Sequence, residues 1–144
     1  MAVSFTDRDL GKAFPAFLRD VGPEVERHAD HFTPDCPHPD WLRVVGERGW
    51  VAVTHDARIR YKPNERDAVQ EHKVALLVMI GRMRHADLAV GFINTRSRIL
   101  RFVDKHRPPY IAKVYCASSI TESRGKASAG RVEMWWNPSN SGSR

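Results

Sequence analysis

Trp50-Val51-Ala52-Val53-Thr54-His55-Asp56 is the stretch that decides the fold. Its first five residues form an apolar run short enough for a strand and apolar enough to be buried on both faces, as parallel strands are. It closes on an acid, Asp56. Upstream, Val3-Ser4-Phe5-Thr6 alternates and breaks into Asp7-Arg8-Asp9, a second strand ending in carboxylates. Downstream, Val74-Ala-Leu-Leu-Val-Met-Ile80, closed by Gly81, reads as a central strand, and Tyr110 to Tyr115 as the last strand of the main sheet.

Helical patterns separate these strands. Phe14, Phe17 and Leu18 recur at helical spacing within 11–20, with Pro15 acceptable near a first turn. Glu24 to Asp30 is a weak strand, and the proline-rich 31–39 reads as a loop. Asp40 stands where an N-cap would, ahead of Trp41, Leu42, Val44 and Val45. A polar helix is expected over 64–73 after Pro63. A long one spans 86–105, with Leu88, Phe92, Thr95, Ile99 and Phe102 on its apolar stripe. Strand and helix alternate throughout, which predicts an α/β domain: a mostly parallel central sheet flanked by helices. One such domain is expected over 1–118, followed by a partly flexible C-terminal extension over 119–144 with a short extra strand near Val132 to Trp136.

The 144 residues suit a single core. Lys and Arg number 23 against 17 Asp and Glu, a formal charge of +6, so the surface should attract polyanions. Two cysteines, Cys36 and Cys116, make no multi-bridge framework, and no apolar run suggests a signal peptide or membrane span. The expected setting is the cytoplasm.

In parallel sheets sites gather at the C-terminal ends of strands, where Asp7 and Asp56 fall. Carboxylates converging there repel one another unless a hard divalent cation neutralises them, so the pattern predicts Mg²⁺, with Mn²⁺ as a substitute. Taken singly, Asp9 and Asp40 read as helix caps and Asp56 as a turn former. The functional reading comes from Asp7 and Asp56 following two different strands, with Asp40 at a helix start between them. His28, His31, Cys36 and His38 are competent zinc ligands, but their spacing matches no closed zinc pattern and they read as a loop cluster. Trp41 and Trp50 read as core, and Trp135-Trp136 as a partner-docking anchor.

The order Phe5-Thr-Asp7-Arg-Asp-Leu10, Asp40-Trp41-Leu42, Val45-Gly-Glu-Arg-Gly-Trp50 and Val53-Thr-His-Asp56-Ala-Arg58-Ile-Arg60 resembles the PIN-like domains of VapC-type toxin ribonucleases. The likeness runs from Val3 to about Tyr115 and is most specific over Gly49 to Pro63. It implies a PIN-like three-layer sandwich and a Mg²⁺-dependent endoribonuclease, the toxin of a type II toxin–antitoxin pair. Asp7 and Asp56 match the family's metal-binding aspartates, and Asp40 completes the expected metal set. Thr54, in the Thr-x-Asp motif, is expected to orient the site through its hydroxyl. The implied partners are RNA and a cognate antitoxin that inserts a basic side chain, with a homodimer also open. The chain departs from the family where His38 and Pro39 stand in a usual run of acids and Arg58 stands at a usual fourth acid, which points to one metal rather than two.

Arg58, Arg60 and Lys62 directly follow Asp56 and are expected to grip RNA phosphates. Arg98, Arg101 and Lys105 form a second basic stripe, read as a solvated face. Two rivals remain open. One is a phosphoacceptor signalling domain built on Asp9, Asp56 and Lys113, although Val114 follows the lysine where that class has proline. The other is a PIN-like module that binds RNA or a partner without cleaving.

Overall fold

The computed structural model describes residues 3–116 and 130–138. Six strands form one sheet: β1 (Ser4–Thr6), β2 (Val25–Arg27), β3 (Val51–Thr54), β4 (Ala75–Ile80), β5 (Tyr110–Tyr115) and β6 (Arg131–Trp136), in the order β2-β1-β3-β4-β5-β6. All pairs are parallel except β5 with β6. β3 and β4, the two apolar runs of the sequence, are the central strands, because only the middle of the sheet offers burial on both faces.

The helices divide between the two faces. α1 (Ala13–Val21) and α5 (His85–Lys105) pack together on one side, where Phe14, Leu18, Leu88, Phe92 and Ile99 meet Val53, Leu77 and Val114. α3 (His38–Arg48) and α4 (Pro63–Glu71) cover the other, with Trp41, Leu42, Val45 and Val69 against Phe5, Ala52, Leu76 and Ile111. The result is a three-layer α/β/α sandwich. Trp41, which reads as core in the sequence, is buried in this second core and stacked on Phe5.

Several local expectations change. The weak strand over 24–30 shortens to β2, and His28–His31 form a one-turn helix, α2. Here Arg27 reaches forward to Asp30 through two hydrogen bonds of 3.1 and 2.6 Å, which favours a turn over continued extension. α3 starts at His38, two residues before Asp40, with Pro37 as its N-cap. A proline at the second helical position lacks only an N–H that has no partner there anyway, so His38-Pro39 are first-turn residues and Asp40 is not a cap. The strand expected in the C-terminal extension is β6, and it pairs with β5 as part of the same sheet. Among the described residues, no helix is long and apolar enough to cross a membrane.

The strand order fixes where a site can form. β1 is followed in sequence by β2 on one side of it, and then by β3 on the other, so the crossovers leave the β1/β3 boundary in opposite directions. That reversal opens a crevice beyond the carboxyl ends of β1 and β3.

Candidate active site

Parallel register sets Thr6 beside Val53, and the Asp7 N–H donates to the Val53 carbonyl at 2.9 Å. Asp7 therefore lies level with Thr54 at the crevice. The chain then tightens into a 3-10 turn over Arg8–Leu10, with Asp7 capping the Arg8 N–H at 2.7 Å. This turn brings Asp9 back to the same place. The buried Thr54 hydroxyl lies 2.9 Å from Asp7 Oδ2 and 3.1 Å from Asp9 Oδ2, and it accepts the Asp56 N–H at 3.2 Å. A hydroxyl has one proton, so it can satisfy only one of the two carboxylates at a time.

The Asp9 carboxylate also receives the His55 N–H at 3.2 Å, yet burial, followed by the nearby Asp7 charge, pushes its pKa up to about 6. His38 lies on the other side of Asp7: its Nε2 is 3.6 Å from Asp7 Oδ2 and its Nδ1 is 3.3 Å from Glu65 Oε2 on α4. The contact with Asp7, and next the charges of Asp7 and Glu65 against the cost of burial, raise the His38 pKa. Asp7, Arg8, Asp9, His38 and Asp56 together line a cavity of about 290 Å³.

Asp56 enters from β3 as the cap of a second 3-10 turn, Ala57–Tyr61. Burial works to raise its pKa, but hydrogen bonds from Arg58 and the charges of Arg58 and Lys62 outweigh burial and lower it. Arg58 Nε is 3.1 Å from Asp56 Oδ1, and Lys62 Nζ is 3.7 Å from Oδ2.

The structure thus brings Asp7, Asp56 and Thr54 together and leaves Asp40 outside. Asp40 is exposed on the first turn of α3. It follows His38 by two residues, which on a helix is about 200° of rotation, so when His38 faces the cavity Asp40 faces away. The residues of the site that lie outside the expected set of Asp7, Asp40, Asp56 and Thr54 are Asp9, His38 and Glu65. Asp9 had a signal in the Asp7-x-Asp9 spacing at a strand end, whereas the His38–Glu65 contact depends on how α3 packs on α4. The basic trio also divides: Arg58 and Lys62 pair with Asp56, while Arg60 Nε reaches the Trp135 carbonyl at 3.3 Å. Arg98, Arg101 and Lys105 line a separate cleft of about 230 Å³ with His106 and Arg131.

A family model described as a PIN-like domain matches residues 2–81, from before β1 to just past β4. The chain belongs to the PIN-like domain family. The matched span carries every residue that lines the Asp7 cavity. PIN-like domains have a nuclease-type fold, and the crevice at the β1/β3 boundary is where this one gathers its acids. Comparisons with curated proteins and with solved structures gave no match.

Whether a divalent cation suits these residues can be judged from the donors. Among the described residues no group of three His, Cys, Asp or Glu side chains is arranged to hold a metal ion, and this applies equally to His28, His31, Cys36 and His38. Mg²⁺, however, commonly uses one or two carboxylates and keeps several waters. Asp7 and Asp9 are an all-oxygen pair facing a cavity, sharing one hydroxyl proton and mutually repelling. That donor set fits a hard cation.

Proposed function

We propose that this PIN-like domain is a metal-dependent endoribonuclease, the toxin of a type II toxin–antitoxin pair. The observation that carries the reading is the Asp7–Asp9 pair sharing the Thr54 hydroxyl at the edge of a cavity that also admits Asp56. Asp7 and Asp9 would hold Mg²⁺ or Mn²⁺, with Asp56 at the margin; when bound, such an ion supplies activation of water and charge stabilisation at a phosphodiester. Asp9 thereby takes the place that sequence reasoning gave to Asp40.

The chain's own groups have distinct tasks. Thr54 fixes the spacing of the two carboxylates and the entry of Asp56 through one buried hydroxyl. His38, bridging Asp7 and Glu65, orients Asp7 and can hold a proton beside the cavity at Nε2. Arg8 lines the cavity, and Arg58 is largely exposed beyond its contact with Asp56, which supports a role for both in meeting phosphate oxygens. A cognate antitoxin would present a basic side chain to the same acids.

Lys113, which the phosphoacceptor reading needs, does not line the cavity and instead lies 4.5 Å from the Trp135 ring. A non-cleaving RNA-binding module is the second reading, favoured by the pairing of Asp56 with Arg58 and Lys62 in place of a third open carboxylate. RNA cleavage by purified protein separates the two. Under the nuclease reading, Mg²⁺ or Mn²⁺ supports cleavage, chelation stops it, and Asp7→Asn and Asp9→Asn abolish both cleavage and growth arrest on expression. If both variants cleave and arrest growth as the parent does, the carboxylates are not catalytic.

A further inference from the structure

β6 ends in two consecutive tryptophans, which a regular strand would send to opposite faces of the sheet. Here Ile111 pairs with Trp136 and Ala112 with Met134, so Trp135 is the extra residue of a β-bulge. The bulge breaks the alternation. Val132 and Met134 pack on the α1/α5 side, whereas Trp135 and Trp136 both turn to the α3/α4 side. Trp136 is buried there, and Trp135 stays partly open on the margin of that core.

Cations and a second aromatic surround Trp135. Lys113 Nζ lies 4.5 Å from its ring centroid and the Arg60 guanidinium 5.5 Å, while Tyr61 meets it edge-on at 5.8 Å. Tyr61 is 64% exposed. Beside them the Arg131 guanidinium covers Tyr115 at 4.1 Å, with its charge shared by Glu133 at 2.6 Å. Cation–aromatic pairs often do no more than shield a sheet edge. Shielding does not call for a tyrosine left open to solvent at the end of the turn that Asp56 caps.

Arg60 also lies 5.2 Å from the Tyr61 ring centroid; exposed aromatic side chains interleaved with Lys and Arg in this way are what single-stranded nucleic acid recognises, bases stacking on the rings and phosphates meeting the cations. The turn Ala57–Tyr61 carries this surface away from Asp56 by about 10 Å, at the rise of a 3-10 helix. We propose that Tyr61 and Trp135, with Arg60 and Lys113, form a stacking platform for single-stranded RNA that leads into the Asp7 cavity. The choice of ligand rests on the nuclease reading; the binding itself does not require cleavage.

Binding of a labelled oligouridine to the full chain, followed by fluorescence anisotropy with divalent ions chelated, tests the platform. Tyr61→Ala should weaken binding by about tenfold, inside the roughly 5- to 150-fold that one stacked base is worth, and Tyr61→Phe should restore it. Lys113→Gln should weaken binding and lower the slope of affinity against salt by about one. Absence of oligouridine binding by the parent, or parent-like binding by Tyr61→Ala, overturns the proposal. Cleavage by Asp9→Asn reports separately on the nuclease reading. If that variant cleaves like the parent while Tyr61→Ala loses binding, the platform stands and the catalytic assignment falls; if Asp9→Asn is inactive and Tyr61→Ala binds normally, the platform alone falls.

Discussion

Replacing Asp9 by asparagine should stabilise the metal-free protein at neutral pH and leave it unchanged at pH 4. Moving a carboxyl from 3.8 to about 6 corresponds to a penalty of roughly 3 kcal/mol on its ionised form. The residue as a whole is exposed even though its carboxylate is held against Thr54 and His55, and solvent on the open side screens the effect. About half, ~1.5 kcal/mol, should reach the folding equilibrium. The sign follows from linkage: a carboxyl raised in the folded state favours folding while protonated, and that contribution is lost as pH rises from about 4 through about 6. Asp9→Asn does not titrate and has no such loss. Urea unfolding of both proteins with chelator at several values between pH 4 and 7.5 measures the difference. The variant's advantage should grow across this range to about 1–1.5 kcal/mol. A flat difference, or a variant less stable than the parent at pH 7.5, would refute the claim that Asp7 and Asp9 are an under-neutralised pair.

Thr54→Val keeps the buried shape but removes the donor shared by Asp7 and Asp9 and the acceptor of the Asp56 N–H, so it should cost about 2 kcal/mol in urea unfolding, with Thr54→Ser close to the parent. His38 has a pKa raised first by its contact with Asp7, so its contribution is present below its ordinary value of 6.5 and is lost as pH rises through the folded value; His38→Gln should abolish that decline in a stability–pH profile. Gly46 sits where α3 meets the end of α4, and a Cβ there would come within 2.2 Å of the His72 carbonyl oxygen. Gly46→Ala should therefore lower the thermal midpoint by the equivalent of about 1–2 kcal/mol, after the helix-propensity gain of ~1 kcal/mol is set against overpacking.

The site shows where local reading stops. Asp7 and Asp56 were legible because each ends an apolar strand, and carboxyl ends of parallel strands are where such sheets open. Asp9 was visible as an acid but read as a cap, since the 3-10 turn that folds it back onto Thr54 depends on β3 lying beside β1. Asp40 had the right chemistry and the wrong side of its helix: the prolines at 37 and 39 start α3 two residues early and turn His38 inward instead. His38 itself looked like one of several loop histidines until α4 supplied Glu65 as its second partner.

Apolar runs, their spacing and the acids that close them determined by themselves that this is an α/β domain with a mostly parallel sheet, because periodicity and strand-end position are properties of the chain read residue by residue; the PIN-like family came from the likeness of the motifs around Asp7 and Asp56. Tertiary structure alone decided the membership of the acidic cluster, the division of Arg58, Arg60 and Lys62 between two tasks, and the common face of Trp135 and Trp136. Each of these depends on a register, a helix rotation or a bulge set by packing against distant segments. A shift of one residue or half a turn reverses the direction of a side chain while leaving the local pattern unchanged.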